Sequence, residues 1–353
     1  MLCYFQKNDI DTSFQDSVVI GMQIIKAAFK SNKVVTLLGL GLALLYVVPE
    51  LTNSSRDLRN ASYGVGNARY ANAIPLPVRK PGDLPYLVQP HQFDVVSLQD
   101  NWSEINFDLH AIRYGQPVPR YFVEQMPVDI LDIANVGKRK EMFISVILPL
   151  ILNANEKTLS RRDRLMDLVA DRQQGRDLSR EDSGWLKNVA KLYRTDPSDI
   201  GTLHKKVDAV PVSIALAQAV EESGWGTSRF AREGNALFGQ RIWSEGKGIV
   251  PTQRAEGETY EVKAFKTLSD SIASYIHNLN THPVYSLFRA ERARRQVEPE
   301  NTLNGYKLVE TLVAYSERGD EYVSTLQNLI QTNRFDQFEK AQLASERLAD
   351  RRY

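Results

Sequence analysis

Glu221 and Glu222 stand side by side in Gln218-Ala219-Val220-Glu221-Glu222-Ser223-Gly224-Trp225-Gly226, at the end of an apolar stretch that opens with Val210-Pro211-Val212-Ser213. A carboxyl group in this position is suited to donating a proton. The C-terminal end of a helix carries partial negative charge, which disfavours an ionised carboxylate. An apolar neighbour such as Trp225 excludes water. Both effects raise the pKa, and cleavage of a glycosidic bond needs an acid that keeps its proton near neutral pH to protonate the leaving oxygen. Trp225, Phe238, Trp243 and Tyr285 are of the type that stacks on sugar rings, and equally of the type that fills a core. Taken alone, the carboxylates also describe an ordinary solvent-facing Glu pair ahead of a glycine stop.

Other chemistries find little material. The histidines are His91, His110, His204, His277 and His282. The last two are five apart and miss the four-residue spacing of the zinc helix motif. Cys3 is the only cysteine, so no Cys-x-x-Cys metal pair and no internal disulfide can form. No Gly-x-Ser-x-Gly elbow and no phosphate-binding glycine loop occurs. The expectation is no metal and no cofactor. A net charge of +1 gives no global attraction to nucleic acid. The local runs Arg161-Arg162-Asp163-Arg164 and Arg292-Ala293-Arg294-Arg295 read as solvated helix faces.

The elements that must position the carboxylates are mostly helical. Pro211 suits a first helical turn, and Gly224 is placed to stop that helix in a left-handed conformation. Residues 142–152 are apolar, too short to span a membrane, and contain Pro149. They predict a buried core helix, kinked or restarted at the proline. Residues 156–173 predict a separate amphipathic helix, and Trp185, Val189 and Leu192 form another apolar helical face. Residues 249–266 predict a short β-hairpin turning near Ala255-Glu256-Gly257-Glu258. Helices follow over 269–279, 306–315 and 320–332. The fold class is α+β, mostly α, with one small β lobe.

Upstream, the uncharged run 34–49 is the most apolar of the chain. Extended to 51, it approaches the roughly 20 residues of a membrane span. Lys26, Lys30 and Lys33 precede it, which by the positive-inside rule puts 1–33 in the cytoplasm and the remainder outside. A cleaved signal peptide would need an unusually long charged region and lacks an adjacent Ala-x-Ala site. A buried helix is the third reading. Residues 52–95, with Pro75, Pro77, Pro81, Pro85 and Pro90, read as an extended linker.

The segment Ala217-Gln218-Ala219-Val220-Glu221-Glu222-Ser223-Gly224-Trp225-Gly226-Thr227-Ser228, followed by Asn235-Ala236-Leu237-Phe238-Gly239, resembles the peptidoglycan glucosaminidases of glycoside hydrolase family 73. Those enzymes carry Ala-x-x-Glu-Ser-Gly-Trp-Gly and then Asn-x-Leu-Phe-Gly. Within the family the chain is most similar to the Bax-type bacterial proteins, through Glu261-Val262 ahead of Phe265, Asn278-Leu279-Asn280-Thr281-His282-Pro283 and Tyr315-Ser316-Glu317-Arg318-Gly319. The resemblance covers about 205–332 and implies a lysozyme-like fold that cleaves the β-1,4 bond after N-acetylglucosamine. It implies Glu222 as catalytic acid, with Glu221, about 100° away around the helix, ranked behind it. A second carboxylate is expected in the β lobe. Spacing does not choose among Glu256, Glu258 and Glu261, and Glu261 is favoured by its place in the Bax-type Glu-Val. Tyr315 matches the family's cleft tyrosine, and Trp225, Asn235, Phe238, Trp243 and Tyr285 are the expected substrate contacts.

The domain organisation expected is a cytoplasmic segment 1–33, an anchor 34–51, a linker 52–95, a helical part 96–200, a catalytic domain 201–335 and a charged tail 336–353. The expected partners are peptidoglycan strands and the bacterial inner membrane, with the catalytic domain in the periplasm. Two other functions fit the same motifs: a lytic transglycosylase and a non-catalytic glycan-binding scaffold.

Overall fold

The structure, a computed structural model, describes residues 93–243, 246, 248–252, 254, 257–296 and 305–345. The expected cytoplasmic segment and anchor, residues 52–92 of the expected linker, and Glu256 lie outside the described residues.

Helices α1 (Val95–Glu104) and α2 (Leu109–Arg113) are each started by an aspartate, Asp94 or Asp108, whose carboxylate accepts first-turn N–H groups. The central element is α3 (Val136–Gln173), capped by Asn135. All residues from Met142 to Asn153 are buried, as a helix apolar on every side requires. α3 is long and apolar enough to cross a membrane by length and composition, yet 78% of its most apolar window is buried inside the protein. The core helix expected to kink or restart at Pro149 and the amphipathic helix expected over 156–173 are therefore one. A proline inside a helix costs about 3 kcal/mol. Burying Phe143, Ile147, Leu148 and Ile151, each almost fully enclosed, contributes about 1.5–3 kcal/mol apiece and outweighs it.

Helices α4 (Arg180–Leu192) and α5 (Ile200–Lys206) follow. With the second half of α3 they form a small core of Leu165, Leu168, Trp185, Leu186, Val189, Tyr193, Leu203 and neighbours. The main core draws on residues from both sides of this insertion, from Val95 to Leu152 and from Val210 to Phe338. At its centre is α6 (Val212–Ser223), buried from Val212 through Val220. α7 (Arg229–Gly234) leads into the β lobe. Strands β1 (Arg241–Ile242), β2 (Gly248–Ile249) and β3 (Glu261–Lys263) form an antiparallel sheet in the order β1-β3-β2, with Val262 opposite both Arg241 and Ile249. The expected hairpin is thus β2–β3, and β1 completes it as a third strand.

Helix α8 (Leu268–Thr281) is followed by a 3-10 turn, Pro283–Tyr285, and α9 (Ser286–Gln296). The helix expected over 306–315 is only partly α: α10 (Gly305–Leu308) passes into a 3-10 segment, Val309–Tyr315. The Thr311 hydroxyl donates to the Leu308 carbonyl at 2.7 Å, a local bond that competes with the helical pattern. α11 (Asp320–Thr332) matches its expected bounds.

Two further expectations are corrected. From 336 to 345 the presumed tail is part of the fold: Phe338 is fully buried, and Leu343 bridges Val118. The basic runs are not simply solvated faces. Arg162 and the fully buried Arg292 both approach the buried Asp208 carboxylate at 3.5 Å, and Arg292 also donates to the carbonyls of Ala209 and Lys205.

Candidate active site

The end of α6 turns through three successive residues of positive φ: Gly224 (58°), Trp225 (61°) and Gly226 (74°). Ser223 fastens this turn. Its hydroxyl donates to the Ala219 carbonyl at 2.5 Å and accepts the Gly226 N–H at 2.9 Å. A Cβ on Gly226 would lie 2.5 Å from Met126 Cε and 3.0 Å from Phe143, so the backbone there passes too close to its neighbours for a side chain. Trp225 accepts a backbone conformation rare for a large residue because its ring is anchored. It packs edge-on to Phe143 (5.8 Å) and tilted on Phe335 (6.3 Å), with Lys140 Nζ 4.7 Å from its centre. Each residue of Ser-Gly-Trp-Gly thus meets a local demand of a turn that leaves Glu222 on the last turn of α6.

Glu222 is mostly buried, and burial pushes its carboxyl above the ordinary range. The neighbouring Glu221 pushes the same way. A hydrogen bond from Tyr322 and the charge of Arg318 oppose the rise. The Tyr322 hydroxyl donates to Glu222 Oε1 at 2.8 Å. Oε2 faces Gly239, 3.8 Å from where a Cβ would stand. Glu221 is tied to Arg318 by an ion pair. The Glu222 charge is felt by Tyr275, Tyr285, Tyr315 and Tyr322, whose hydroxyls are all pushed up, chiefly by burial. Tyrosines therefore surround this carboxyl, whereas the Trp225 ring is turned toward α3.

Tyr315 stacks parallel on Tyr322 at 5.5 Å, and Tyr285 lies 6.0 Å from Tyr315. These three rings form a row that ends at Glu222. Phe238 is buried and stacked on Tyr275 at 3.9 Å. Asn235 adopts a left-handed conformation as the cap of α7. Its amide donates to the carbonyls of Phe265 and Lys266 at 3.2 and 3.0 Å, binding the β lobe's exit to its entrance. Trp243 is 64% exposed just past β1. Glu261, on β3, is buried, and its two oxygens accept the N–H groups of Gly246 (3.0 Å) and Gly248 (2.8 Å). It holds the turn between β1 and β2. Glu258 is exposed.

The model of the Glucosaminidase family, described as mannosyl-glycoprotein endo-beta-N-acetylglucosaminidase, matches residues 200–335. The chain is 33% identical over 202 residues to Protein bax of Escherichia coli (strain K12), an alignment that spans 55% of this chain and 70% of that protein. The chain belongs to the glucosaminidase family. The catalytic domain of the autolysin Auto from Listeria monocytogenes aligns over 59% of this chain and 92% of its own, at 16% identity and a TM-score of 0.30, a likeness too low to inform the site. The mostly helical α+β architecture with a small antiparallel sheet fits a lysozyme-like domain. In this glucosaminidase-family chain, local sequence reasoning overlooked Gln218, Tyr275, Arg318 and Tyr322 as neighbours of Glu222. One signal was visible: Gln218 is a polar residue inside an apolar helix, four positions before Glu222 and hence on its face.

Proposed function

We propose that the chain hydrolyses the β-1,4 glycosidic bond after N-acetylglucosamine in peptidoglycan, with Glu222 as general acid. The observation that carries this reading is the Glu222 carboxyl itself. It is held at a helix end among tyrosines, with burial favouring its protonated form. Glu222 protonates the leaving oxygen and becomes an anion, which the Tyr322 hydroxyl and Arg318 then stabilise. Water attacks the sugar carbon, assisted by a β-lobe carboxylate or by the substrate's own acetamido group. The engagement of both Glu261 oxygens with Gly246 and Gly248 favours the acetamido group, because a base needs an oxygen directed at water. The exposed Trp243 and the partly exposed Tyr315 supply sugar-facing rings on this reading, with the buried Tyr285 and Phe238 backing Tyr315 and Tyr275.

The catalytic domain on this reading is 201–335, carried by the helical part 96–200 and tethered through 52–95. An anchor at 34–51 places it on the periplasmic face of a bacterial inner membrane. Retention of the full-length chain in membranes after alkaline washing supports the anchor, and release overturns it.

Mass analysis of products from purified peptidoglycan tests the reaction. Hydrolysis leaves reducing N-acetylglucosamine ends. Products ending in 1,6-anhydro muramyl residues would instead make the chain a lytic transglycosylase, and binding without soluble product would make it a scaffold.

A further inference from the structure

Gln218 lies one helical turn before Glu222 and is fully buried between Tyr275 of α8 and Tyr322 of α11. Its amide oxygen accepts the Tyr275 hydroxyl at 2.6 Å, and its amide nitrogen donates to the Tyr322 oxygen at 3.0 Å. Tyr322 then donates to Glu222 Oε1 at 2.8 Å. A tyrosine hydroxyl has one proton to give. Because the Tyr322 oxygen is already receiving the Gln218 N–H, that proton is directed to Glu222. Reversing the amide would draw the Tyr322 proton toward Gln218 and present a lone pair to Glu222 Oε1.

We infer that Gln218 is a positioning residue whose amide, oriented by Tyr275, makes Tyr322 a donor to Glu222 Oε1 and so places the transferable proton on Oε2, facing Gly239. This rests on the reading of Glu222 as the acid, and adds to it a direction and a choice of oxygen. Oε1, occupied as an acceptor, is not the oxygen that carries the proton. Oε2 looks toward a position with no side chain, where a leaving oxygen can approach. When Oε2 gives up its proton, the Tyr322 bond becomes a charge-assisted one and strengthens. The relay therefore acts on the transition state more than on substrate binding.

The test uses full-length protein and soluble peptidoglycan glycan fragments. Gln218→Met keeps length and removes both bonds. We expect kcat to fall about three- to tenfold, as for loss of hydrogen bonds between neutral groups, with KM changed by less than about threefold. The high-pH limb of kcat should move upward, because a bond that favours ionised Glu222 has been weakened. Tyr322→Phe should give the same shift, and the double variant should lose little beyond either single one. Tyr275→Phe removes a single oxygen and should show a smaller shift in the same sense; it carries the test if Gln218→Met does not fold. An unmoved pH limb in the folded variants, or losses that simply add, would overturn the relay. If Glu222→Gln remains active, the acid assignment fails instead. If Glu222→Gln is inactive while the Gln218 and Tyr275 variants keep the wild-type profile, only the relay fails.

Discussion

Glu221 and Glu222 are neighbours on one helix end, and their surroundings differ. Glu221 is held by Arg318 near solvent, and Glu222 faces the tyrosines. Their coupling sets a pair of opposed predictions. As the proposed acid, Glu222 works only while protonated, so activity falls as pH rises through its pKa. Glu221→Gln removes a negative neighbour, eases ionisation of Glu222 and should move the high-pH limb of activity downward. Arg318→Gln removes the cation that favours ionised Glu222 and should move it upward. Rate–pH profiles of the two variants check both signs, and a common direction would contradict the coupling. Glu222 and its turn were legible because Ser-Gly-Trp-Gly encodes local geometry. Gln218 and Tyr322 were not, because their roles depend on a meeting of α6 with α11, about a hundred positions later in the chain. The packing of the Trp225 ring was hidden for the same reason, because its partners Phe143 and Phe335 lie far from it in sequence.

The helix that carries Glu222 begins without a local side-chain cap, since Pro211 occupies the cap position. Glu339 supplies the cap from the far end of the fold. It accepts the Val212 N–H at 2.9 Å and binds the Ser213 hydroxyl. Burial raises its carboxyl to about 7 from the ordinary 4.5. The folded state therefore holds this proton more tightly than the unfolded chain does. The resulting stability is full below about pH 4.5 and is lost as pH rises toward 7, on the order of 3 kcal/mol across that window. Denaturant unfolding at several pH values should show that decline, and Glu339→Gln should flatten it; an unchanged slope would contradict the account. Gly305 passes between these groups. A Cβ there would stand 2.0 Å from Ser213 Oγ, so Gly305→Ala should destabilise by about 1–3 kcal/mol, read as a lower denaturation midpoint. The start of α6 was legible from Pro211, but a cap donated from Glu339 leaves no mark in the local sequence. The failure to foresee one continuous α3 has a similar origin: Pro149 signals a break locally, and burial on every side overrules it.

At the scale of the whole molecule, the small core on the second half of α3 meets the main one around Asp208. Its carboxylate sits between Arg162 of α3 and Arg292 of α9. Removing it leaves two enclosed guanidinium groups without their counter-charge. Asp208→Ala should therefore cost about 3–5 kcal/mol in equilibrium unfolding, and a loss below about 1 kcal/mol would contradict the role. The mostly helical class and the small β lobe were legible from periodicity, but the buried arginines were not. A basic run looks the same whether its charges meet water or a buried aspartate. The central claim, that this glucosaminidase-family chain cuts glycan strands through one carboxylic acid, is tested most directly by the release of reducing ends from purified peptidoglycan by wild type and Glu222→Gln side by side. The account predicts release by the wild type and, in a folded variant, a loss of about a hundredfold or more. Near-normal release by Glu222→Gln would contradict it.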